Sequence, residues 1–541
     1  MALPFTNSSQ DTSNTNSNNK KKMSDGRNEE VPCTFTSFGR QLPLKSSSNE
    51  EQDDGVTALS DDHTSTSTVQ EPTESGDHGD DDDDDDDDFV LAVPRESFNS
   101  QHLEVSHGTQ SSSGFQEIIA PQSTKESVET SHNHNNDDDD DASDENEIAT
   151  MIESMRLYSD NAELLTKACG ALAVLADVSV ENRRDIVFQG GIETVVLAMQ
   201  RFPTHVDLQL QACCVTARLA LDESHRGLLG SDHGAADGNG DLIRLIVRAM
   251  ENHKENIDLE GAAVCALANL AVNEDNQKRI ATKTNGIESI TAALQRHASV
   301  ASVQKFGFAA LANLSLAHAD NRAKIAAHNG INVIIRGMTT HATVCNVQYQ
   351  AFRALGSIAF QSQSIGRDIV NGGGVEAIVT GMERFHDDRD VQYRACRALA
   401  NLAVNDENRQ KMIETRNGKD AFASVLCAMQ EHSRDSDIQV FGNWMLKNFA
   451  MSHTKKVRQT IHRTESAIDI VVAAMQAHPN DRRVQEQGCQ VLYFFTYSYK
   501  PSEIVTAGGK AVALTARDQF GLEYSKKLLR RLRKGFPCLP R

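Results

Sequence analysis

The chain has 541 residues and a formal charge of −22, with aromatic side chains at only 5 % and a single Trp. An apolar fraction dominated by Ala and Leu suits packed helices better than a β-sandwich. Residues 1–150 carry 35 acidic and 8 basic side chains (−27), whereas the remainder carries 41 and 46 (+5). A weakly basic body with few aromatics argues against nucleic-acid binding.

Residues 1–146 are predicted to be a disordered, acidic, low-complexity tail. They are rich in Ser, Thr, Asn and Asp and contain two aspartate runs, from Asp80 to Asp88 and from Asp137 to Asp141. Such runs repel themselves, and the tail has too little apolar surface to offset chain entropy. His132 and His134 could weakly bind a divalent metal, but a solvated tract is the simpler interpretation. No metal or cofactor is therefore assigned.

No secretory h-region opens the chain, and no apolar run approaches the roughly 20 residues that span a bilayer. The ten cysteines include no CxxC pair. Four of them recur at one position of the repeat described next: Cys169, Cys213, Cys396 and Cys489. We expect buried thiols in a reducing compartment, and hence a cytoplasmic protein, with the nucleus as a second open location.

A repeat of about 44 residues runs through the rest of the chain. The ends of successive apolar helices mark it, at Met155, Met199, Met250, Leu294, Met338, Met382, Met429 and Met475. The one long step contains an insertion, residues 230–240. Self-similarity at this period predicts an all-α, right-handed α-solenoid of about eight three-helix repeats plus a terminal cap, over residues 147–534. Residues 535–541 are a short C-terminal tail.

Each repeat is predicted to contain a short helix ending at Gly, a second helix, and a longer third helix. The third helix carries a recurring phrase, CRALANLAVNDENR at 396–409, CALANLAVNEDNQK at 265–278 and AALANLSLAHADNR at 309–322. Its Leu residues and an upstream small residue form one apolar stripe, which a single unit cannot bury alone. The units must therefore stack.

An Asn recurs between the two Leu columns of this third helix, at positions 269, 313, 401 and 448. Asn is a mediocre helix residue, so its recurrence needs a reason. The side chain either caps a carbonyl of a neighbouring helix inside the stack or faces an open groove and binds a ligand's backbone. Periodicity alone leaves both interpretations open.

Three helices per unit, a Gly-Gly junction and the motif A-L-x-N-[LI]-[AS] resemble the armadillo repeat family over about residues 147–520. Asn182-Arg183 before a short helix and Val347-Gln348 at the start of a third helix resemble the variant found in protists and in leucine-rich-repeat kinases. The resemblance implies that the third helices line a concave groove. It also implies that Asn269, Asn313, Asn401 and Asn448 hold the backbone of an extended peptide.

The importin-alpha branch of the family places Trp four residues before each such Asn, and here only Trp444 fits that pattern. Arginines lie at or near the equivalent positions, so the groove is predicted to bind an acidic or phosphorylated segment. The predicted groove residues besides the asparagines and Trp444 are Arg218, Arg353, Ser357, Arg394 and Arg397. The alternative is that these arginines pair with acidic residues of adjacent repeats.

No P-loop, Rossmann glycine pattern, HExxH or nucleophile elbow occurs, so no catalytic residue is assigned. We expect a monomeric, non-catalytic interaction scaffold; the alternative is a nuclear-transport or membrane-tethered cargo adaptor. The run from Asp80 to Asp88 is hypothesised to contact the basic groove within the same chain. The basic segment 526–534 is predicted to form a terminal capping helix, with a membrane-surface or nuclear-localisation segment as the alternative.

Overall fold

The structure, a computed structural model, describes residues 140–232, 240–414, 420–464 and 466–534. Every regular element in these ranges is a helix, and we number the helices α1 to α26 in chain order. The candidate metal-binding residues His132 and His134, the run from Asp80 to Asp88 and residues 535–541 lie outside the described residues. The first helix begins at Asp140, ahead of the predicted array start at residue 147.

The helices fall into three classes that repeat in order. The short first helices are α3 (Val180–Phe188), α6 (Glu223–Leu229), α9 (Glu274–Thr282), α12 (Ala319–Ala327), α15 (Gln363–Asn371), α18 (Asp406–Met412), α21 (Lys455–Arg463) and α24 (Pro501–Thr506). The second helices are α1 (Asp140–Leu157), α4 (Gly191–Arg201), α7 (Leu242–Asn252), α10 (Gly286–Arg296), α13 (Gly330–Thr340), α16 (Gly374–Arg384), α19 (Ala421–Glu431), α22 (Ala467–Ala477) and α25 (Gly509–Phe520). The third helices are α2 (Ala162–Val178), α5 (Val206–Leu219), α8 (Ile257–Leu270), α11 (Ala301–Ser315), α14 (Cys345–Ala359), α17 (Arg389–Leu402), α20 (Ser436–Ala450), α23 (Arg482–Phe495) and α26 (Glu523–Lys534).

Successive third helices pack on one another from α2 to α26, and successive second helices form a parallel layer behind them. A continuous apolar core between the layers runs from Ile148 to Leu532. The predicted all-α solenoid is confirmed. The basic C-terminal segment is α26, the third helix of the last unit, and Leu528, Leu529 and Leu532 are buried against α23 and α25.

The paired glycines between first and second helices serve two different purposes. The first of each pair has a left-handed backbone, with φ of 82° at Gly190 and 86° at Gly373, which residues bearing a Cβ rarely adopt. The second begins the next helix, where a Cβ on Gly191 would lie 2.6 Å from the Ile186 carbonyl oxygen. The turn therefore needs glycine once for its conformation and once for space.

A glutamine near the start of most third helices ties it to the end of the preceding second helix. The Nε2 of Gln348, for example, donates to the carbonyl oxygens of Met338 (2.8 Å) and His341 (3.1 Å). The same paired bonds occur at Gln209, Gln304, Gln392, Gln439 and Gln485. In α8 the position is held by Glu260, which is 1 % exposed and pairs with Arg296 at 3.0 Å.

Histidines that follow the second helices link neighbouring units. His297 Nε2 lies 3.1 Å from the Lys254 carbonyl oxygen, and His341 Nε2 lies 2.9 Å from that of Ala298. His253, His432 and His478 make the equivalent contacts. These contacts follow the repeat, although along the sequence the histidines look scattered.

The recurring cysteines are buried, as their position in the repeat predicts. Burial raises the pKa of the Cys169, Cys396 and Cys489 thiols to about 12, so they stay protonated and unreactive at neutral pH. In the described ranges no three His, Cys, Asp or Glu side chains are grouped to hold a metal. Within the same ranges no helix is long and apolar enough to cross a membrane.

Candidate functional site: the third-helix face

All the predicted site residues lie on third helices, whose exposed side is here called the third-helix face. Asn269, Asn313 and Arg353 are buried between these helices, at 0 %, 1 % and 4 % exposed. The recurring asparagines bridge adjacent third helices. The Nδ2 of Asn269 donates to the Ala217 carbonyl oxygen (2.8 Å), and that of Asn313 donates to the Ala268 carbonyl oxygen (2.8 Å). Asn401 and Asn448 donate in the same way to Gly356 (2.9 Å) and Ala400 (3.2 Å). We call these four bonds the asparagine ladder.

The acceptor carbonyls of this ladder belong to a column of small residues. The column reads Ala173, Ala217, Ala268, Ala312, Gly356 and Ala400, and then changes to Lys447 and Tyr493. A Cβ on Gly356 would lie 3.2 Å from the Cα of Ala398, so α14 and α17 approach closely there. The next donor of the ladder would bind the Lys447 carbonyl oxygen from helix α23. That helix carries Phe494 at the asparagine position, and Phe has no side-chain donor. The ladder therefore ends at Asn448.

Two of the predicted arginines have partners within the stack. Arg218 is 8 % exposed, and its Nε lies 3.8 Å from Asp177 Oδ1 of the preceding third helix. This is the pairing between adjacent repeats that the alternative interpretation describes. Arg353 is 4 % exposed and donates through Nη2 to the Asn313 Oδ1 at 2.5 Å.

The other two arginines stack on aromatic rings. The Arg394 guanidinium lies 4.9 Å from the Tyr393 ring centroid and 5.4 Å from that of Tyr349, and its Nε donates to the Tyr349 hydroxyl. The Arg397 guanidinium lies 5.7 Å from the Phe441 ring centroid. Stacking of this kind holds a guanidinium plane in place. Arg394 is only 4 % exposed, whereas Arg397 is half-buried.

Trp444 extends this aromatic surface onto α20. It is half-buried, 5.9 Å from the Phe441 centroid, and the Lys447 ammonium lies 5.9 Å from its ring. Burial lowers the pKa of Lys447 to about 8, with Glu486 opposing the shift. Lys447 donates to the Gln487 Oε1 on α23 at 3.2 Å. The predicted Ser357 is half-buried on α14.

A second aromatic group follows on the last two third helices. Tyr493 packs edge-on against Tyr497 and Tyr524. Arg531 of α26 lies 4.2 Å from the Tyr497 centroid, and Lys527 lies 4.8 Å from that of Tyr524. We name this whole set of rings and cations the aromatic–basic strip: Tyr349, Tyr393, Arg394, Arg397, Phe441, Trp444, Lys447, Tyr493, Phe494, Tyr497, Tyr524, Lys527 and Arg531.

Comparisons with known proteins agree with this architecture. A family model described as the LRRK2 ARM repeat matches residues 334–527. The crystal structure of an engineered protein from a structural genomics consortium aligns with a TM-score of 0.51 at 22 % identity, over 73 % of this chain and 100 % of that chain. A structure described as a conserved phosphorylation switch controlling the interaction between cadherin and beta-catenin aligns with a TM-score of 0.58 at 15 % identity, over 71 % of this chain and 75 % of that one.

Residues 334–527 match the armadillo repeat family, and the described array has the armadillo fold.

A curated relative matches a smaller part of the chain. Protein aardvark of Dictyostelium discoideum is 30 % identical over 142 residues, which are 25 % of this chain and 18 % of that protein. This chain therefore spans less than a fifth of that relative's length.

Sequence reasoning assigned the arginines and Trp444 of the armadillo array but missed most of the rings around them. Tyr349 and Tyr393 occur one residue after the recurring glutamines Gln348 and Gln392, at the same repeat position. Six of the seven tyrosines lie after residue 340, although the array begins before residue 150. That uneven distribution was the signal that could have located the strip.

Proposed function

We propose that this armadillo repeat protein is a non-catalytic interaction scaffold that binds an extended acidic or phosphorylated peptide segment on the third-helix face. The observation that carries the proposal is the aromatic–basic strip. It places five cationic side chains against aromatic rings along five successive third helices, α14 to α26. Charge-assisted bonds from such cations to carboxylates or phosphates are among the stronger hydrogen bonds in proteins.

The asparagines contribute differently along the proposed site. The Nδ2 groups of Asn401 and Asn448 already donate to carbonyls of the stack, which leaves their Oδ1 atoms as acceptors for a peptide N–H. Asn448 is half-buried beside Trp444, whereas Asn313 is 1 % exposed and its Oδ1 accepts from Arg353. We therefore centre the peptide on α17 and α20.

The alternative function is a cargo adaptor for nuclear transport or for a membrane. A lysine-rich nuclear localisation segment would need anionic or open aromatic surfaces, whereas the rings of the strip already lie beside Arg and Lys. The same charge argument favours acidic ligands. A lysine-rich peptide therefore serves as the discriminating competitor.

Trp444 is the only tryptophan of the chain, so its fluorescence reports on the proposed site directly. We expect an acidic peptide to change its emission and to be displaced by salt, and a lysine-rich peptide of equal length to have no effect. Arg397→Ala should weaken binding, followed by anisotropy of a labelled peptide, by about tenfold, because one stacked charge-assisted contact contributes roughly 1.5 kcal/mol. The matched control is Arg244→Ala, an exposed arginine on second helix α7. Equal losses for the two variants would contradict the proposal.

The acidic tail is proposed as a competitor for the same site in the same chain. The support is charge, −27 in residues 1–150 against +5 in the rest. Replacing the run from Asp80 to Asp88 by asparagines in the full chain should tighten acidic-peptide binding at low salt and leave it unchanged at high salt. Unchanged affinity at both salt concentrations would reject the competition and leave the peptide site itself unaffected.

A further inference from the structure

Exposed apolar side chains are concentrated at the beginning of the array. Among the described residues, seven of the twelve exposed large hydrophobic side chains lie between residues 157 and 197. They are Leu157, Tyr158, Val174, Val178, Val180, Phe188 and Leu197. Exposed apolar side chains concentrated in one part of a chain indicate a candidate interaction site there.

One of these residues, Leu197, lines a cleft of about 420 Å³ between α1, α2 and α4. Met155, Leu165 and Ala198 line the cleft with buried side chains, and Leu197, 60 % exposed, stands at its edge. The lining also includes Arg156 and Arg201. These arginines pair with Glu153 and Asp160, so the cleft offers an apolar floor and a rim of ion pairs.

Phe188 precedes a residue that is bonded to the lining of the cleft. The Arg156 Nη2 donates to the Gln189 carbonyl oxygen at 2.7 Å, which fixes the residue directly after Phe188 beside the rim. Phe188 is 86 % exposed. At the equivalent position other first helices carry polar or small residues such as Thr282, Ala327 and Asn371, so the exposed ring is particular to this unit.

The chain contains a segment of matching chemistry in the polar stretch that precedes α1. Residues 115–120, FQEIIA, place Phe115, Ile118 and Ile119 at positions i, i+3 and i+4, which would share one face of a helical turn. We propose that residues 115–120 dock into this cleft, with their apolar side chains against Leu197 and the apolar floor.

Linker length favours this segment over the other apolar stretch of the tail, residues 89–93. The connection 121–139 has 19 residues, and a chain of that length without fixed structure spans roughly 22–26 Å. From Asp140 to Met155, helix α1 rises about 22 Å at about 1.5 Å per residue. The expected span of the linker therefore matches the rise of α1. The effective concentration of a tethered segment at its site is highest when these two lengths match. The linker from residue 93 is more than twice as long.

The test is a site-specific photo-crosslink in the full chain. With p-benzoylphenylalanine at position 115, we expect linkage within one molecule to residues 188–201, with a yield independent of protein concentration. Leu197→Asp should lower that yield about tenfold, because it replaces an apolar contact of the bound segment by a charge. The matched control is Val404→Asp, which changes an apolar side chain of similar exposure (51 %) far along the array.

Three outcomes would overturn the proposal. Linkage between two molecules, rising with concentration, would assign the cleft to a second copy of the chain. Linkage to other residues, or none, would leave residues 115–120 without a role there. An equal loss of yield for Leu197→Asp and Val404→Asp would mean that the cleft does not hold the segment. Circular dichroism of both variants verifies that the helical fold is intact.

Discussion

The two ends of the third-helix face use the same repeat positions for different purposes. From α5 to α20 the small-residue column lets helices approach closely, and the asparagine ladder joins four of the five adjacent pairs. Between α11 and α14 the bond from Arg353 to Asn313 takes its place. From α20 to α26 the same columns hold Lys447, Tyr493 and Phe494, and rings with cations fill the space between the helices. A column position that stabilises stacking in one part of the array thus offers binding chemistry in another.

The difference shows how a solenoid can combine stability and recognition within one repeat. A short side chain with a bridging Asn makes a strong junction but leaves few groups for a ligand. A large ring or a cation at these positions makes no bridging bond between the helices but exposes an amphipathic surface. The following predictions test this division, from the largest expected effect to the smallest.

Placing a lysine like Lys447 in the small-residue column of the first region should strongly destabilise the fold. Gly356→Lys places a long side chain where a Cβ already lies 3.2 Å from Ala398, and should lower the free energy of unfolding by about 2–3 kcal/mol. The control is Gly227→Lys, where nothing lies within 4 Å of the added Cβ, and where the better helix propensity should be neutral or slightly stabilising. Urea unfolding measures both. A neutral Gly356→Lys would show that close approach is not required.

Asparagine bonds inside the ladder should matter more than the last one. Asn313→Ala removes a buried bond to Ala268 and the acceptor of Arg353, and should lower the free energy of unfolding by about 2 kcal/mol. Asn448→Ala removes a half-buried bond of 3.2 Å and should cost less than about 1 kcal/mol. Asn448→Ala should instead weaken peptide binding. Equal destabilisation by the two variants would remove the distinction between the interior of the asparagine ladder and its last bond.

Glu260, the exception to the glutamine column, should make the first region sensitive to pH. Burial raises the pKa of Glu260 to about 8, against the opposing effect of Arg296. The folded state therefore retains a proton that the unfolded state releases near the ordinary glutamate pKa, so stability falls as the pH rises from there through about 8. Glu260→Gln should remove this slope and add about 1–2 kcal/mol at pH 8.5 through bonds like those of Gln304. Urea midpoints at pH 6 and 8.5 test it, and parallel pH profiles would contradict it.

Asn443, in the second region, should weaken the array at a position that the other repeats keep apolar. Both polar atoms of its side chain are buried without a hydrogen-bond partner, whereas the equivalent residues include Val264, Cys396 and Cys489. Asn443→Val should raise the free energy of unfolding by about 1 kcal/mol. The control Cys396→Val should change it by less than about 0.5 kcal/mol. Thermal denaturation distinguishes the two, and a destabilised Asn443→Val would indicate a partner for the amide.

The repeat could be predicted from the sequence because every unit must bury the same stripe against its neighbours. That requirement placed Leu399, Leu402 and Cys396 in the core, where the structure has them. The asparagines could not be assigned in the same way. Helical periodicity places Asn401 on one face of α17. Only the distance to the Gly356 carbonyl oxygen shows which neighbouring group its side-chain amide binds. The grouping of Tyr349 with Arg394 crosses 45 residues and likewise depended on the stacking register.

The sequence by itself determined the repeat length, the all-α solenoid and the cationic character of the C-terminal third helices. These features follow from local periodicity and from the residue types within each repeat. The tertiary structure decided which carbonyl each Asn amide binds, that Arg218 pairs with Asp177 while Arg397 stacks on Phe441, and where the ladder gives way to rings. Those features depend on the spacing between neighbouring helices. That spacing is set by pairs of residues about 45 positions apart, and no single repeat contains both members of a pair.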